Sequence, residues 1–406
     1  MRHEALKTIY TGGILPLMLY GAPVWKNVLN RSCYRAKLNR IQRLIDLRIA
    51  KAYRTVSNEA LCIINGITPI NINIEEIGRL YEITQGIGTQ YDKDMEPENW
   101  THLATHIKTI EGDEESLHPI QVYTDGSKSN LGVGAGVVIF LDNYLIKTMQ
   151  YRLNEQCTNN QAEQLAILKA LEYIQEMESD EKLVLVHTDS KITIHLLQNG
   201  KKHTNLIERI RTKVQEMKQR EWRVDFRWIK AHAGHRGNEI ADKHAKEAAK
   251  NKNIEECYMK IPKSVVISKL KEQSVKWWQR EWTETTKGAT TKTFFPKIED
   301  RLKLRLNATP NFTTIVTGYG NIKAYLHKYK IIDDPTCPCR KGQQTVQHII
   351  FDCPLLEKER EKLKAVVKRT ENWPVSCNKV GVQYHRIFKE YIDNISWNED
   401  QSTNSQ

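Results

Sequence analysis

The chain contains no apolar run long enough to cross a bilayer. Its longest candidate, Ile14 to Trp25, is cut by Pro16, Gly21 and Pro23. Arg2 and Lys7 stand near it, but no small-residue cleavage site follows, so it reads as a buried segment and not as a signal peptide. Long internal repeats are missing too, which argues against a solenoid or propeller. Cysteine is sparse, with 8 in 406 residues, and mostly scattered. That excludes a secreted disulfide scaffold and places the protein in a reducing, intracellular compartment, nucleus or cytoplasm. Acid is in deficit: 49 Asp and Glu against 61 Lys and Arg leave a formal charge of +12. This balance suits a polyanionic partner, nucleic acid before membrane, although a solvated Lys-rich surface gives the same excess.

Against that basic background, four acidic residues fall in short segments built to aim carboxylates. Asp125 lies in Val122-Tyr123-Thr124-Asp125-Gly126-Ser127, and Glu163 follows Thr158-Asn159-Asn160-Gln161-Ala162. Asp189 ends the apolar run Val184-Leu185-Val186-His187-Thr188, and Asp242 comes ten positions after His232. Residues 119–251 alternate strand and helix patterns in the order βββαβααβα, an α/β domain with a five-stranded mixed sheet flanked by helices. The expected strands are 120–123, 132–140, 145–153, 183–188 and 223–229. The expected last helix runs from Asn238, as its cap, to Lys250.

Asp125 and Asp189 then sit at the ends of two strands, while Glu163 and Asp242 approach from helices. Four carboxylates at one point repel unless divalent cations neutralise them. Two Mg²⁺ ions, with Mn²⁺ as an alternative, meet that need and drive in-line phosphoryl chemistry. His232, in the Gly-containing loop 231–237, is the natural proton carrier for such a site. Any one of these acids alone would read as a turn residue, a cap or a surface charge.

The flanks are less specific. Residues 1–90 read as helical, 91–118 as an acidic linker, 252–330 as a basic helical region, 331–395 as a Cys/His element with helices, and 396–406 as a disordered tail. Leu38, Ile41, Leu44, Ile45 and Ile49 recur at helical spacing, with Arg40, Arg43, Arg48 and Lys51 off that stripe. The basic face would track a phosphate backbone or simply meet water. Trp277, Trp278 and Trp282 read as core or as a stacking surface. Cys337, Cys339, His348 and Cys353 supply three thiolates and an imidazole, a set that suits tetrahedral Zn²⁺, although the single residue between the first pair is tight. Buried reduced thiols are the alternative.

The segments 123–127, 158–163, 188–190, 228–232 and 237–242 closely resemble the type 1 ribonuclease H family, with every family carboxylate and the loop histidine present. The resemblance implies hydrolysis of the RNA strand of an RNA/DNA hybrid. It also implies that Asn159 and Asn160, with Gln161 and the flanking Gly126, Ser127 and Thr158, meet the hybrid in its minor groove. Ile9 to Pro16, Tyr20 to Trp25, Lys51 to Ser57, Gly318 to Gly320 and Ala324 to His327 resemble the region after the polymerase palm in jockey-like non-LTR retrotransposon reverse-transcriptase polyproteins. The Cys-Cys-His-Cys cluster resembles the terminal element of those proteins, and the polymerase's paired-aspartate motif is missing. The resemblance therefore implies the C-terminal part of such a polyprotein, acting on hybrid or on retrotransposon RNA beside a polymerase supplied by another copy. The alternative is a non-catalytic nucleic-acid-binding remnant.

Overall fold

The computed structural model describes residues 3–85, 91–101, 107–110, 118–231 and 233–395. Two compact units emerge: Ile83–Ser268, and Met1–Glu82 together with Lys269–Gln406. No helix among the described residues is long and apolar enough to cross a membrane.

The Ile83–Ser268 unit is built on a seven-stranded sheet: β1 (Lys108–Ile110), β2 (Ile120–Ser129), β3 (Gly132–Leu141), β4 (Tyr144–Leu153), β5 (Leu183–Thr188), β6 (Arg223–Trp228) and β7 (Glu256–Tyr258), in the order β1-β6-β5-β2-β3-β4-β7. The pattern of five strands is thus extended by one short strand at each edge. Three residues are too few to display a period-two pattern, and both edge strands come from polar stretches. β1 arises within the acidic stretch 91–118, so part of that stretch is sheet and not linker. Tyr91, which bridges Ile261, and Asp92, which accepts from Gln161 and Tyr258, fasten its start to the same unit.

β2, β3 and β4 form an antiparallel meander. The β3–β4 connection is a two-residue loop, Asp142-Asn143, with φ of 49° and 67°. Positive φ at both positions matches the right-handed twist of a hairpin, and Asp and Asn tolerate it. β5, buried along nearly its whole length, pairs parallel with β2 and with β6. One sheet face is covered by the Asn159–Glu176 helix, whose Leu165, Leu168 and Leu171 enter the main core with Val122, Val184 and Phe226.

The other face receives the Arg236–Lys250 helix at unusually short range. A Cβ on Gly136 would lie 2.1 Å from the Ala241 carbonyl oxygen, and one on Gly134 2.3 Å from that of Ala245. The helix turns its small residues Ala241, Ala245, Ala248 and Ala249 inward, so backbone meets backbone. Gly136→Ala forces the helix outward, and a loss of about 1–3 kcal/mol in urea-induced unfolding is expected. That helix begins two residues earlier than its sequence suggests, with His235 at the cap position and Asn238 buried inside the first turn.

The other unit is helical. Its main core gathers Leu61, Ile63 and Ile64 with Trp278, Trp282, Phe294, Phe312, Ile350, Leu363 and Phe388. Three stretches that look separate in sequence, 1–90, 252–330 and 331–395, therefore contribute to one hydrophobic interior. Trp278 and Trp282 are core residues; Trp282 donates from Nε1 to the Phe295 carbonyl at 2.8 Å. In the Ser32–Ala50 helix the apolar stripe is only partly used: Ile41 and Leu44 are 45% and 60% exposed. The buried side carries Gln42 and Asp46 instead, which bond the Ile70 amide and the Asn65 side chain. Arg43 is half-buried, donating to the carbonyls of Arg54 and Val56 and to Asn58 Oδ1.

Candidate active site and metal centres

β2 runs beyond the point where its parallel neighbour stops. Pairing with β5 ends at Thr124 opposite Thr188, while pairing with β3 continues to Ser129. Asp125 is therefore inside a strand, not at its end, but it is the first β2 residue whose β5 side lies open. The chain leaves the sheet directly after Thr188, because the Ser190 hydroxyl accepts from the Thr193 amide and starts the Lys191–Gln198 helix. Asp189 is held in that turn, where its carbonyl accepts from Trp228 Nε1 at 3.0 Å.

Glu163 is delivered by the Asn159–Glu176 helix. Thr158 and Gln161 close a capping box at its start: the Gln161 amide donates to Thr158 Oγ1 and the Thr158 amide donates to Gln161 Oε1. Gly126 makes room for it, since a Cβ there would lie 2.7 Å from the Glu163 amide nitrogen. Asn159 Nδ2 donates to Glu163 Oε1 at 2.8 Å, and Glu163 Oε2 is buried with no partner. Asp242 stands on the Arg236–Lys250 helix with Lys246 Nζ 2.6 Å from its Oδ2.

Asp125 feels the other three acids. Burial first, then the charges of Asp189, Asp242 and Glu163, push its carboxyl up to about 7, against one stabilising bond from the Gly126 amide to Oδ1 at 2.7 Å. Burial also raises Glu163, with Asp189 adding to it and nearby Ser190 and Asn159 opposing. A buried acid crowded by three more, beside an orphaned buried carboxylate oxygen, is short of positive charge. The donor set is all oxygen, which suits a hard divalent cation such as Mg²⁺ or Mn²⁺.

Other residues singled out in the sequence divide by use. Gln161 is buried, and its Nε2 is spent on Asp92 Oδ2 and the Lys260 carbonyl. Ser127, Thr158, Asn159 and Asn160 remain half-buried. His232 lies outside the described residues.

Beneath the carboxylates is a polar layer that motif reading does not find. Tyr123 and His187 stack with ring centroids 4.4 Å apart. Strand alternation was the available signal, since 123 shares a face with 125 and 187 with 189. Both His187 ring nitrogens are buried without partners. Burial, with Arg227, His235 and His118 nearby, drives this imidazole down to about 3. Its folded value is below the unfolded one of about 6.5, so its contribution is intact above pH 6.5 and is lost as pH falls from there toward 3. A stability loss on the order of 3 kcal/mol between pH 7 and pH 4.5 is expected from this group, and His187→Phe should remove it in pH-dependent denaturation.

In the helical unit, Cys337, Cys339, His348 and Cys353 place one ligand atom each within 4.8 Å of all the others. The Cys337 and Cys353 sulfurs are 3.8 Å apart, and Cys339 Sγ is 3.2 Å from His348 Nε2. A tetrahedron with arms of about 2.3 Å has edges of roughly 3.8 Å, so the set fits Zn²⁺. The single-residue spacing closes because Arg340 N donates to the Cys337 carbonyl at 2.8 Å, folding Cys-Pro-Cys into a tight turn.

The RNase H family model matches residues 118–250, the span that carries all four carboxylates. Ribonuclease H of Mannheimia succiniciproducens is 30% identical over 153 residues, covering 34% of this chain and 91% of that protein. The chain belongs to the ribonuclease H family. The chain is also similar to proteins of retrotransposable elements. A protein from the type-1 retrotransposable element R1 of Popillia japonica, a retrovirus-related Pol polyprotein, is 27% identical over 207 residues, half of this chain and 78% of that one. A 115 kDa protein in the R1DM element of Drosophila melanogaster is 29% identical over 110 residues, 26% of this chain. The chain spans only 11% of that protein's length.

Proposed function

We propose that the ribonuclease H unit hydrolyses the RNA strand of RNA/DNA hybrids, with Asp125, Glu163, Asp189 and Asp242 as the catalytic quartet. The observation that supports this reading is that Asp125, buried in the domain the family model matches, feels the charges of Asp189, Asp242 and Glu163. Two divalent cations bound there would supply an activated water and offset charge on the phosphorus and the leaving oxygen. The protein's part is placement. Asp125 is fixed by sheet pairing on its β3 side, Asp189 by the Ser190 cap, Glu163 by Asn159, and Asp242 by a helix packed backbone to backbone on β3. Asn159 and Asn160 would face the ribose, where the 2′-hydroxyl separates RNA from DNA. The deciding experiment is cleavage of a labelled hybrid beside matched DNA duplex and RNA duplex. Cleavage of the hybrid alone supports the reading; equal cleavage of all three, or none, sinks it.

The raised Asp125 carboxyl adds a second prediction. Cation binding must displace its proton below pH 7, so apparent Mg²⁺ affinity should weaken about tenfold per pH unit below 7 and level off above it. Titration calorimetry at several pH values checks this, and a flat profile would count against Asp125 as a ligand.

The Cys337, Cys339, His348 and Cys353 set would hold a structural Zn²⁺, closed to substrate because all four positions are protein ligands. The similarity to retrotransposon polyproteins supports a hybrid made during reverse transcription as the natural substrate.

A further inference from the structure

The helical unit contains an open cavity of about 1040 Å³. One wall is aromatic. Gly318, at φ 75°, ends the Pro310–Thr317 helix and turns the chain back at Tyr319. The short Lys323–Lys328 helix then sets Tyr325 and, just past its end, Tyr329 four residues apart and so on one side. Their rings form a chain, with Tyr319 to Tyr325 at 5.0 Å and Tyr325 to Tyr329 at 4.9 Å. Tyr329 is 53% exposed.

The remaining walls mix apolar side chains, among them Val56, Ile322 and Val346, with polar and cationic ones. Lys287, Lys328 and Arg43 line the cavity, and Glu59 is the one carboxylate among the lining residues. Glu59 sits 3.3 Å from Lys287 Nζ, so the net balance is positive. Lys328 Nζ lies 5.9 Å from the Tyr329 ring centre. Thr55, Ser57, Thr286, Thr290 and Gln347 add hydroxyls and an amide. The wall at Thr345–Gln347 leads straight into His348 of the Cys/His cluster, and Thr345 Oγ1 accepts the His348 amide. Gln344 ties the same loop to the aromatic helix, accepting from the Lys323 and Ala324 amides at 3.0 and 3.2 Å.

This combination discriminates among ligands. A small apolar ligand needs an enclosing wall without unpaired charge, and this cavity is open and carries Lys328. A duplex keeps its base faces inside the stack, where tyrosines cannot reach them. A single strand exposes both features the cavity matches, π-faces for the rings and phosphates for the cations. We infer that this cavity binds single-stranded nucleic acid, with Tyr325 and Tyr329 stacking on bases and Lys328 and Lys287 on phosphates. The cavity is separate from the hydrolytic reading, because none of its lining residues belongs to the Ile83–Ser268 unit.

The test uses the full chain carrying Asp125→Asn, so that RNA is not cut. Labelled RNA and DNA single strands of about 12 nucleotides are titrated by fluorescence anisotropy, beside a DNA duplex of equal length. Tyr329→Ala should weaken single-strand binding about tenfold, while Tyr329→Phe retains it. Lys328→Glu should weaken binding and lower the salt slope by about one. A loss seen only with RNA assigns RNA as the occupant, and one seen only with DNA assigns a displaced DNA strand. Losses with both assign a site indifferent to the sugar. Wild-type affinity in both Tyr329→Ala and Lys328→Glu, with unchanged melting, overturns the inference. So does an equal loss on the duplex.

Discussion

Asp125→Asn should lower the rate of RNA/DNA hybrid hydrolysis by about 10²- to 10³-fold or more while leaving the protein folded. The substitution keeps shape and volume and removes only charge. Asp125 is the acid raised by burial and by three like charges, so loss of this proposed oxygen ligand should cost most. The same crowding makes the control informative. In the absence of divalent cations, the amide relieves repulsion that the carboxylate suffers, so melting of the variant should be unchanged or raised. A dead but equally stable variant separates chemistry from folding. Equal rates for wild type and variant would remove the proposed activity, and a variant that melts markedly earlier would show that the repulsion is not felt.

Removal of the Zn²⁺ proposed for the Cys/His cluster should be the largest perturbation of the helical unit. Cys337 and Cys353 are buried, and Ile349 and Ile350, in the turn that joins His348 to Cys353, are part of the main core of that unit. Arg360, buried as well, donates to the Cys353 carbonyl. Losing the cation would leave the thiol and imidazole groups to repack without the bonds that hold the turn. A loss of at least about 3 kcal/mol is expected, a fraction of the roughly 10–16 kcal/mol that structural zinc supplies to isolated fingers. That corresponds to a fall of about 6–12 °C in Tm for a unit of this size. Cys353→Ser should reproduce it without chelator. Calorimetry with a metal assay decides: one zinc per chain lost together with the shift supports the site, and an unshifted melt on chelation excludes it.

Much of the ribonuclease H unit is legible in the chain because its signals are local. The buried strand Leu183–Thr188 is a continuous apolar run, and the helix at Asn159 opens on a Thr and a Gln that can cap each other. Acidic residues set in or beside such elements declare themselves. Other features depend on partners distant in sequence. The edge strands Lys108–Ile110 and Glu256–Tyr258 exist only because a neighbour offers unpaired backbone, and their side chains carry no pattern. Gln161 looks like a substrate contact until Asp92, 69 positions away, is seen to occupy it. Ile41 and Leu44 follow a helical stripe, yet Gln42 and Asp46 are the buried side, because Ile70 and Asn65 present them with bonds to make.

The amino-acid order alone determined that four acidic residues would fall in or beside short strand and helix segments, and that three thiols and an imidazole would lie close in sequence. Those are properties of short segments, in which backbone preference and side-chain chemistry act over a few residues. Tertiary structure decided the rest. It decided that β5 stops one residue short of Asp125, that glycine-to-alanine packing brings Asp242 onto the sheet, and that His187 is stranded without a proton partner below them. It also joined three separate helical stretches into one core and opened the tyrosine-lined cavity beside the cysteines. Registers, close approaches and shared interiors are set by which surfaces exclude water together, and no single segment carries that information.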